Sequence, residues 1–341
     1  MLMNPPAFCP VSCPVKIAGT GHVLPGRRIA SASFDHDLGL PSGQLEARTG
    51  VRSRPVCTTE SQIDMAVQAS LLALKAAGLD VADIDLVLGA CAVPYQPIPA
   101  TAPLVMRRLG MAGGQAAGFD VNATCLSFLA AFDIAAAKLA LGQCKAVLIF
   151  SSEVASRALP WQDQPEVAAL FGDGAAAVVL TAADAAGPCI RASLMTTYPE
   201  AVDACEIGSG GTRFDFHAEP AEFARHSRFR MDGKALFRLT HRHFPDFVGR
   251  LLAAAGWDVA EVDLVVPHQA SPQALQHMIA RTGFVAGQVV DIAASYGNQI
   301  AASIPTALDV AWRDGRIGRG SRVVLVGTSA GVSFGGLALV L

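Results

Sequence analysis

The chain has 341 residues, 52% hydrophobic and 16% charged, enough to bury a large core in two halves of ordinary domain size. Its mean hydropathy is positive, yet apolar stretches reach only about ten residues before a Gly or a charge interrupts them, and a membrane-spanning helix needs roughly 20. A net charge of −3, with no long basic run interleaved with aromatics, counts against a nucleic-acid partner.

The opening "MLMNPPAFCPVSCPVK" has no basic n-region and carries early prolines. Residues 1–14 therefore read as a flexible N-terminal arm, no secretory signal is expected, and the protein is expected to be cytoplasmic. Two halves follow, 15–183 and 184–341. In the first, "LKAAGLDVADIDLV" (74–87) predicts a helix stopped at Gly78, a polar turn and a buried strand. In the second, "LAAAGWDVAEVDLV" (252–265) repeats it with four differences. Likewise "NATCLSFLAAFDIAAAKLALGQCKAVLIF" (122–150) predicts a helix and then a strand, and returns as "NQIAASIPTALDVAWRDGRIGRGSRVVLV" (298–326).

Such a repeat implies two α/β halves related by a pseudo-twofold axis, sheets covered by helices, and a functional cleft between equivalent loops. Between the repeats, "LFGDGAAAVVL" (170–180) offers Gly172 and Gly174 for a sharp turn and Asp173 to tie down backbone amides. The stretch 224–243 holds five arginines, one lysine and three histidines. It either edges a site for a phosphate-bearing or acidic partner or is a solvated helix face. The eight cysteines form no CxxC pair and no zinc spacing with histidines, so neither a disulfide framework nor a metal is expected.

Taken singly, Cys125 reads as a small buried hydrophobe, His268 as a structural histidine after a strand, and Asn298 as a helix cap. The repeat changes this by bringing all three to the centre. Cys125 opens a helix, where free N–H groups and the helix dipole are expected to favour its thiolate. A nucleophilic thiol with two neutral donors, an imidazole Nε2–H and an amide, suits a covalent acyl-cysteine beside a stabilised thioester enolate.

With the motifs "DVNATCLSF", "LFGDGAAAVVL", "VVPHQAS", "YGNQIAASIPTAL" and "GTSAGVSFGG", the sequence resembles the thiolase superfamily, and within it the β-ketoacyl-acyl-carrier-protein synthase III group. The likeness runs over nearly the whole length. It implies the thiolase-like five-layered αβαβα fold, a homodimer, catalytic Cys125, His268 and Asn298, and an oxyanion hole made by the backbone N–H groups of Cys125 and Gly331. It also implies CoA or acyl-carrier-protein thioesters as substrates, a malonyl thioester as extender, and no further cofactor.

Departures from the group bear on the substrate. Gln44 stands where a Trp four residues before the retained Arg48 usually covers the CoA adenine, and Gln164 replaces the Arg of the opposite side. Ser271 replaces an Asn near the pantetheine arm, Gln273 replaces a basic carrier contact, and Arg238, beside Phe237, keeps another. Arg48, Arg238, Phe237, Ser271 and Ile98 form the expected substrate-binding set. Ile98 stands where short-chain enzymes present a Phe from the neighbouring subunit, so a longer acyl tunnel and a medium or long primer are expected. The alternatives are acyl transfer from Cys125 to an alcohol or amine, and head-to-head condensation, against which the lack of any Glu between residues 61 and 152 counts. An inactive partner subunit is disfavoured by the retained triad.

Overall fold

In the computed structural model, which describes residues 13–341, the short apolar runs become strands of one large sheet, several of them buried on both faces. They are β1 (Cys13–Val23), β2 (Leu86–Gly89), β3 (Ala117–Asp120), β4 (Ala146–Glu153), β5 (Gly174–Ala182), β6 (Cys189–Thr197), β7 (Leu264–Pro267), β8 (Arg322–Ser329) and β9 (Ser333–Val340). Their order across the nine-stranded sheet is β7-β8-β9-β6-β1-β5-β4-β2-β3.

The pairing displays the repeat. In the first half β1 and β5 are antiparallel, as are β5 and β4, while β4 and β2 are parallel. The second half has the same sequence of pairings in β6, β9, β8 and β7. Even the fifth strand has a remnant: β3 lies parallel to β2, and its counterpart is the single bridge Val265–Val289. The halves join where Cys13 and Pro14 of β1 pair with Ile190 and Cys189 of β6.

Residues 1–12 of the expected arm lie outside the described residues, whereas Cys13 and Pro14 belong to β1 rather than to an arm. The expected division at 183 falls in the connection between β5 and β6, and β1 pairs across it with β6.

Strand side chains alternate between two helical layers, as the period of two requires. Val147 and Ile149 of β4 face the middle, with Val323 and Leu325 of β8. There they meet the apolar faces of two helices, α2 (Ser127–Ala140) and α5 (Ser303–Arg313). Leu148 and Phe150 face outward onto α1 (Gln62–Ala77), and Val324 and Val326 onto α3 (Gly233–Ala255). A further outer helix, α4 (Pro272–Thr282), places Met278 in the same outer core as α3. Helix, sheet, helix, sheet, helix gives the five layers expected from the resemblance. Both Gly stops behave as read: α1 ends at Gly78 with φ 66° and α3 at Gly256 with φ 71°. Among the described residues no helix is long and apolar enough to cross a membrane.

Candidate active site

Asn122 and Asn298 each begin a sharp elbow at the centre. Asn122 Oδ1 accepts the Thr124 N–H at 2.9 Å, and Asn298 Oδ1 accepts the Ile300 N–H at 2.8 Å. Thr124 and Ile300 are thereby held at φ 53° and 51°, the two non-glycine residues with positive φ among the described residues. For β-branched residues that conformation costs roughly 1–3 kcal/mol. Ser127 donates back to the Thr124 carbonyl at 2.7 Å, the Ser303 hydroxyl lies 2.7 Å from the Ile300 carbonyl, and the two serines start α2 and α5. The one-turn elbows, 124–126 and 300–302, pack against each other. Cys125 occupies the middle of one, and Ala301 the middle of the other.

His268 follows β7, its N–H donating to Val326 at 2.8 Å. It reaches the elbows because residue 327 of the neighbouring strand is glycine. A Cβ on Gly327 would lie 2.6 Å from His268 Cβ and 3.3 Å from Leu126 Cδ2, so the missing side chain lets the histidine and the Cys125 elbow share one place. Asn298 Nδ2 faces the Ala270 carbonyl at a loose 3.5 Å, two residues beyond His268. The corresponding Asn122 Nδ2 makes a firm 2.9 Å bond to Ala92. The structure therefore draws Cys125, His268 and Asn298 together and leaves the Asn298 amide with donor capacity.

The electrostatics differ from the expectation at the sulfur. Burial pushes the Cys125 thiol up, with Cys205 and Glu153 adding to it, and the Ala330 and Cys125 backbone N–H groups offset only part. Loss of water outweighs the helix terminus, and the sulfur is held toward its protonated form. Burial also depresses His268 to about 4, keeping its ring neutral. His268 Nδ1 lies 2.6 Å from Ser303 Oγ. Since Ser303 has one proton and two acceptors in reach, its choice between Ile300 O and Nδ1 sets the tautomer. The amide that faces the sulfur is that of Ala330, and Gly331 is the next residue along.

Two groups at the site matter in different ways. Glu153, at the end of β4 and 1% exposed, takes the Ala92 N–H at 2.6 Å and also faces the Val93 and Ala301 amides. Burial pushes it up to about 8. Sequence reasoning passed over it, although a lone carboxylate closing the apolar run "AVLIFSSE" was a signal. Asp173 does tie down amides: it accepts from the N–H groups of Cys57 and Ser156 and from the Ser156 hydroxyl.

The expected substrate set is more dispersed. A cleft between α3 and α4 reaches His268 and Gly327, with Thr240, Phe244, Leu275 and His277 on its walls. Phe237 and Arg238 stand exposed on α3. Ser271 caps α4 by accepting the Ala274 N–H at 3.0 Å, while its own proton stays free to donate. Arg48 pairs with Glu166, and its carbonyl accepts from Gln273. Gln164 is engaged by the Met231 backbone through both its amide atoms, at 3.1 and 3.2 Å. Ile98 is 86% exposed and far from any core of this chain.

Known proteins share this fold. Residues 119–199 match the 3-oxoacyl-[acyl-carrier-protein] synthase III family, and residues 252–341 match its C-terminal family. The chain is 33% identical over 330 residues to the β-ketoacyl-[acyl-carrier-protein] synthase III of Neisseria meningitidis, covering 95% of this chain and 98% of that one. The crystal structure of 3-oxoacyl-[acyl-carrier-protein] synthase III from Aquifex aeolicus VF5 superposes with a TM-score of 0.86 at 30% identity, covering 96% of this chain and 100% of that one. The priming β-ketosynthase of the R1128 polyketide pathway gives a TM-score of 0.86 at 28% identity, covering 98% and 99%. With that fold, these matches along both halves and the central thiol, the chain belongs to the 3-oxoacyl-[acyl-carrier-protein] synthase III family, a family of acyltransferases on the thiolase fold.

Proposed function

We propose that the protein condenses a Cys125-bound acyl group with a malonyl thioester, releasing CO₂ and forming a 3-oxoacyl thioester. The observation that carries this reading is the division of labour at the paired elbows: a thiol on one, and on the other a buried neutral imidazole with a loosely held amide.

In loading, the Cys125 sulfur bonds to the acyl carbon, the donor's C–S bond breaks, and the thiol proton leaves with the departing thiol. Backbone N–H groups of Cys125 and Gly331 receive the oxyanion. In condensation the malonyl C–CO₂ bond breaks and its electron pair becomes an enolate. His268 Nε2–H and Asn298 Nδ2–H hold the enolate oxygen while its carbon attacks the acyl carbon and the Cys125 thiolate departs. Decarboxylation supplies the carbanion, so a neutral histidine suffices. This reading uses the tautomer in which Ser303 donates to His268 Nδ1, leaving the proton on Nε2.

A homodimer fits two exposed features of the first half. The edge strand β3 has one unpaired side with Phe119 exposed, and Ile98 projects into solvent as a residue offered to a partner subunit would. A small residue there supports a medium or long primer, and likeness to a priming ketosynthase supports a specialised pathway.

Intact-mass spectrometry after incubation with a panel of acyl-CoAs and acyl carriers tests the reading. An adduct on Cys125, absent in Cys125→Ala, with CO₂ released from labelled malonyl donor is the expected result. Adduct formation without CO₂ release overturns the condensation. Faster loading of acetyl than octanoyl overturns the primer size.

A further inference from the structure

The centre of the molecule is built by exchange, each half laying the end of a strand against the elbow of the other. β8 packs against residues 124–126, and β4 packs against residues 300–302. Past the end of β8, the Ala330 amide faces the Cys125 sulfur. At the end of β4 the polarity is reversed: Glu153 presents a carboxyl, and the elbow presents the Ala301 amide. The matching last residue of β8 is Ser329, whose hydroxyl turns onto the carbonyl of its own neighbour, Ala330, at 3.1 Å.

The Ala301 amide belongs to the start of a helical turn, where N–H groups lack partners inside the helix and favour a strong acceptor. On the reading above, the equivalent Cys125 amide is kept for the substrate oxygen. In the second elbow Glu153 fills that place. The same carboxyl accepts the Ala92 N–H at 2.6 Å and faces the Val93 amide. Both residues lie at the start of the loop 91–100, which follows β2 and carries Ile98. The first half holds this loop twice, Asn122 donating to the Ala92 carbonyl and Gln62 to the Val93 carbonyl, each at 2.9 Å. Among the described residues its polar link to the second half runs through Glu153. A carboxyl suits the position because its two oxygens can serve several N–H groups, and it keeps acceptor capacity even when burial holds it protonated.

Asn298 moves with this elbow, because its Oδ1 accepts the Ile300 N–H. The start of the elbow has its own anchor, the Asn298 N–H donating to the Leu170 carbonyl at 2.7 Å. A single anchor leaves a pivot, and Glu153 at Ala301 supplies the second point that fixes the angle of the Asn298 amide.

We propose that Glu153 is a positioning residue of the condensation step, its carboxyl fixing the second elbow, and with it Asn298, against the loop 91–100. This rests on the reading of Asn298 as an enolate donor and adds what keeps that donor in register with the acyl-cysteine.

The test uses the full chain and two variants. Glu153→Ser installs the residue that ends β8, and Glu153→Gln keeps an acceptor oxygen on a side chain of the same length. Intact mass follows loading of Cys125, and CO₂ release follows condensation by the loaded enzyme. Glu153→Ser is expected to load like the parent while the condensation kcat falls roughly 10- to 100-fold at little changed KM, and Glu153→Gln to recover most of the loss. Hydrogen–deuterium exchange should speed up together in residues 91–100 and 298–302 of Glu153→Ser and return to the parent level in Glu153→Gln. Should Glu153→Ser not fold, Glu153→Met, which fills the volume without an acceptor, takes its place with the same expected outcome. Undiminished condensation without the acceptor overturns the proposal, as do equal losses of loading and condensation, a glutamine variant as slow as the serine one, or faster exchange in only one of the two segments. A parent enzyme that loads Cys125 but releases no CO₂ breaks the reaction reading alone, and the exchange measurement then decides whether Glu153 ties elbow to loop.

Discussion

The two elbows are the same piece of backbone put to different use. Each has an Asn latch, a β-branched residue at positive φ and a Ser that closes the turn. Where the first half has Cys125 the second has Ala301, and where the second has His268 the first has Ala90. Each half carries a side chain that the other lacks. The exchange extends to the supporting residues: Gly327 leaves room for His268, whereas the first half keeps Ser151 at the matching place, donating to the Ala90 carbonyl at 2.7 Å. A duplicated fold thus makes one asymmetric site by deleting side chains on alternate sides.

Removing the two Asn latches one at a time should separate the roles of the two elbows. Asn298→Ala is expected to slow condensation by about 10²- to 10³-fold, the cost of one lost oxyanion donor, while loading of Cys125 persists. Asn122→Ala, which loses only its bonds to Thr124 and Ala92, should cost about 1 kcal/mol of stability in denaturant unfolding. Equal kinetic losses in the two variants would refute the division of labour.

The buried groups of the two halves also give stability a pH dependence. His268 is neutral in the folded chain down to about 4 but titrates at its ordinary 6.5 when unfolded. The unfolded state binds the extra proton, so stability falls by about 3 kcal/mol as pH drops from 6.5 to 4. Glu153 runs the other way. Its folded carboxyl keeps a proton up to about 8, so stability falls as pH rises from 4.5 to 8. Chemical denaturation across pH should show the acid-side loss shrinking in His268→Gln and the alkaline-side loss shrinking in Glu153→Gln. Parallel profiles for parent and variants would remove both groups from the account.

The smallest expected effect concerns the two serines. Ser303→Ala removes the group that selects the His268 tautomer and should slow condensation roughly 10-fold with a shifted pH profile. Ser127→Ala removes only a turn closure and should leave that profile in place.

Most of the scaffold was legible because it rests on local rules. Gly78 and Gly256 stop helices, apolar runs become strands, and repeated Asn residues latch repeated turns. Five layers and the convergence of Cys125, His268 and Asn298 followed from the repeat together with the resemblance. What escaped depends on contacts between residues far apart in sequence. The upward shift of the Cys125 thiol comes from burial by neighbours that no spacing reveals. Glu153 looked like a strand end, yet it sits against the Ala92 and Ala301 amides. Gln164 read as a lost stacking partner, and its positive role, bridging to Met231, needed the fold. Cys13 and Pro14 read as arm because prolines suggest irregularity, but they sit at the start of β1, where β6 pairs with it and β5 does not yet do so.

The middle layer settles how such a duplicated chain should come apart. Among the described residues the two halves of the sheet join through two residue pairs and the Val15 N–H bond to Pro188, whereas α2 and α5 are packed into one apolar cluster fed by both halves. Neither half can keep its inner face dry alone, so the two copies do not act as independent folding units. Heating or denaturant should melt the molecule in a single cooperative transition, and neither half expressed alone should hold a native fold.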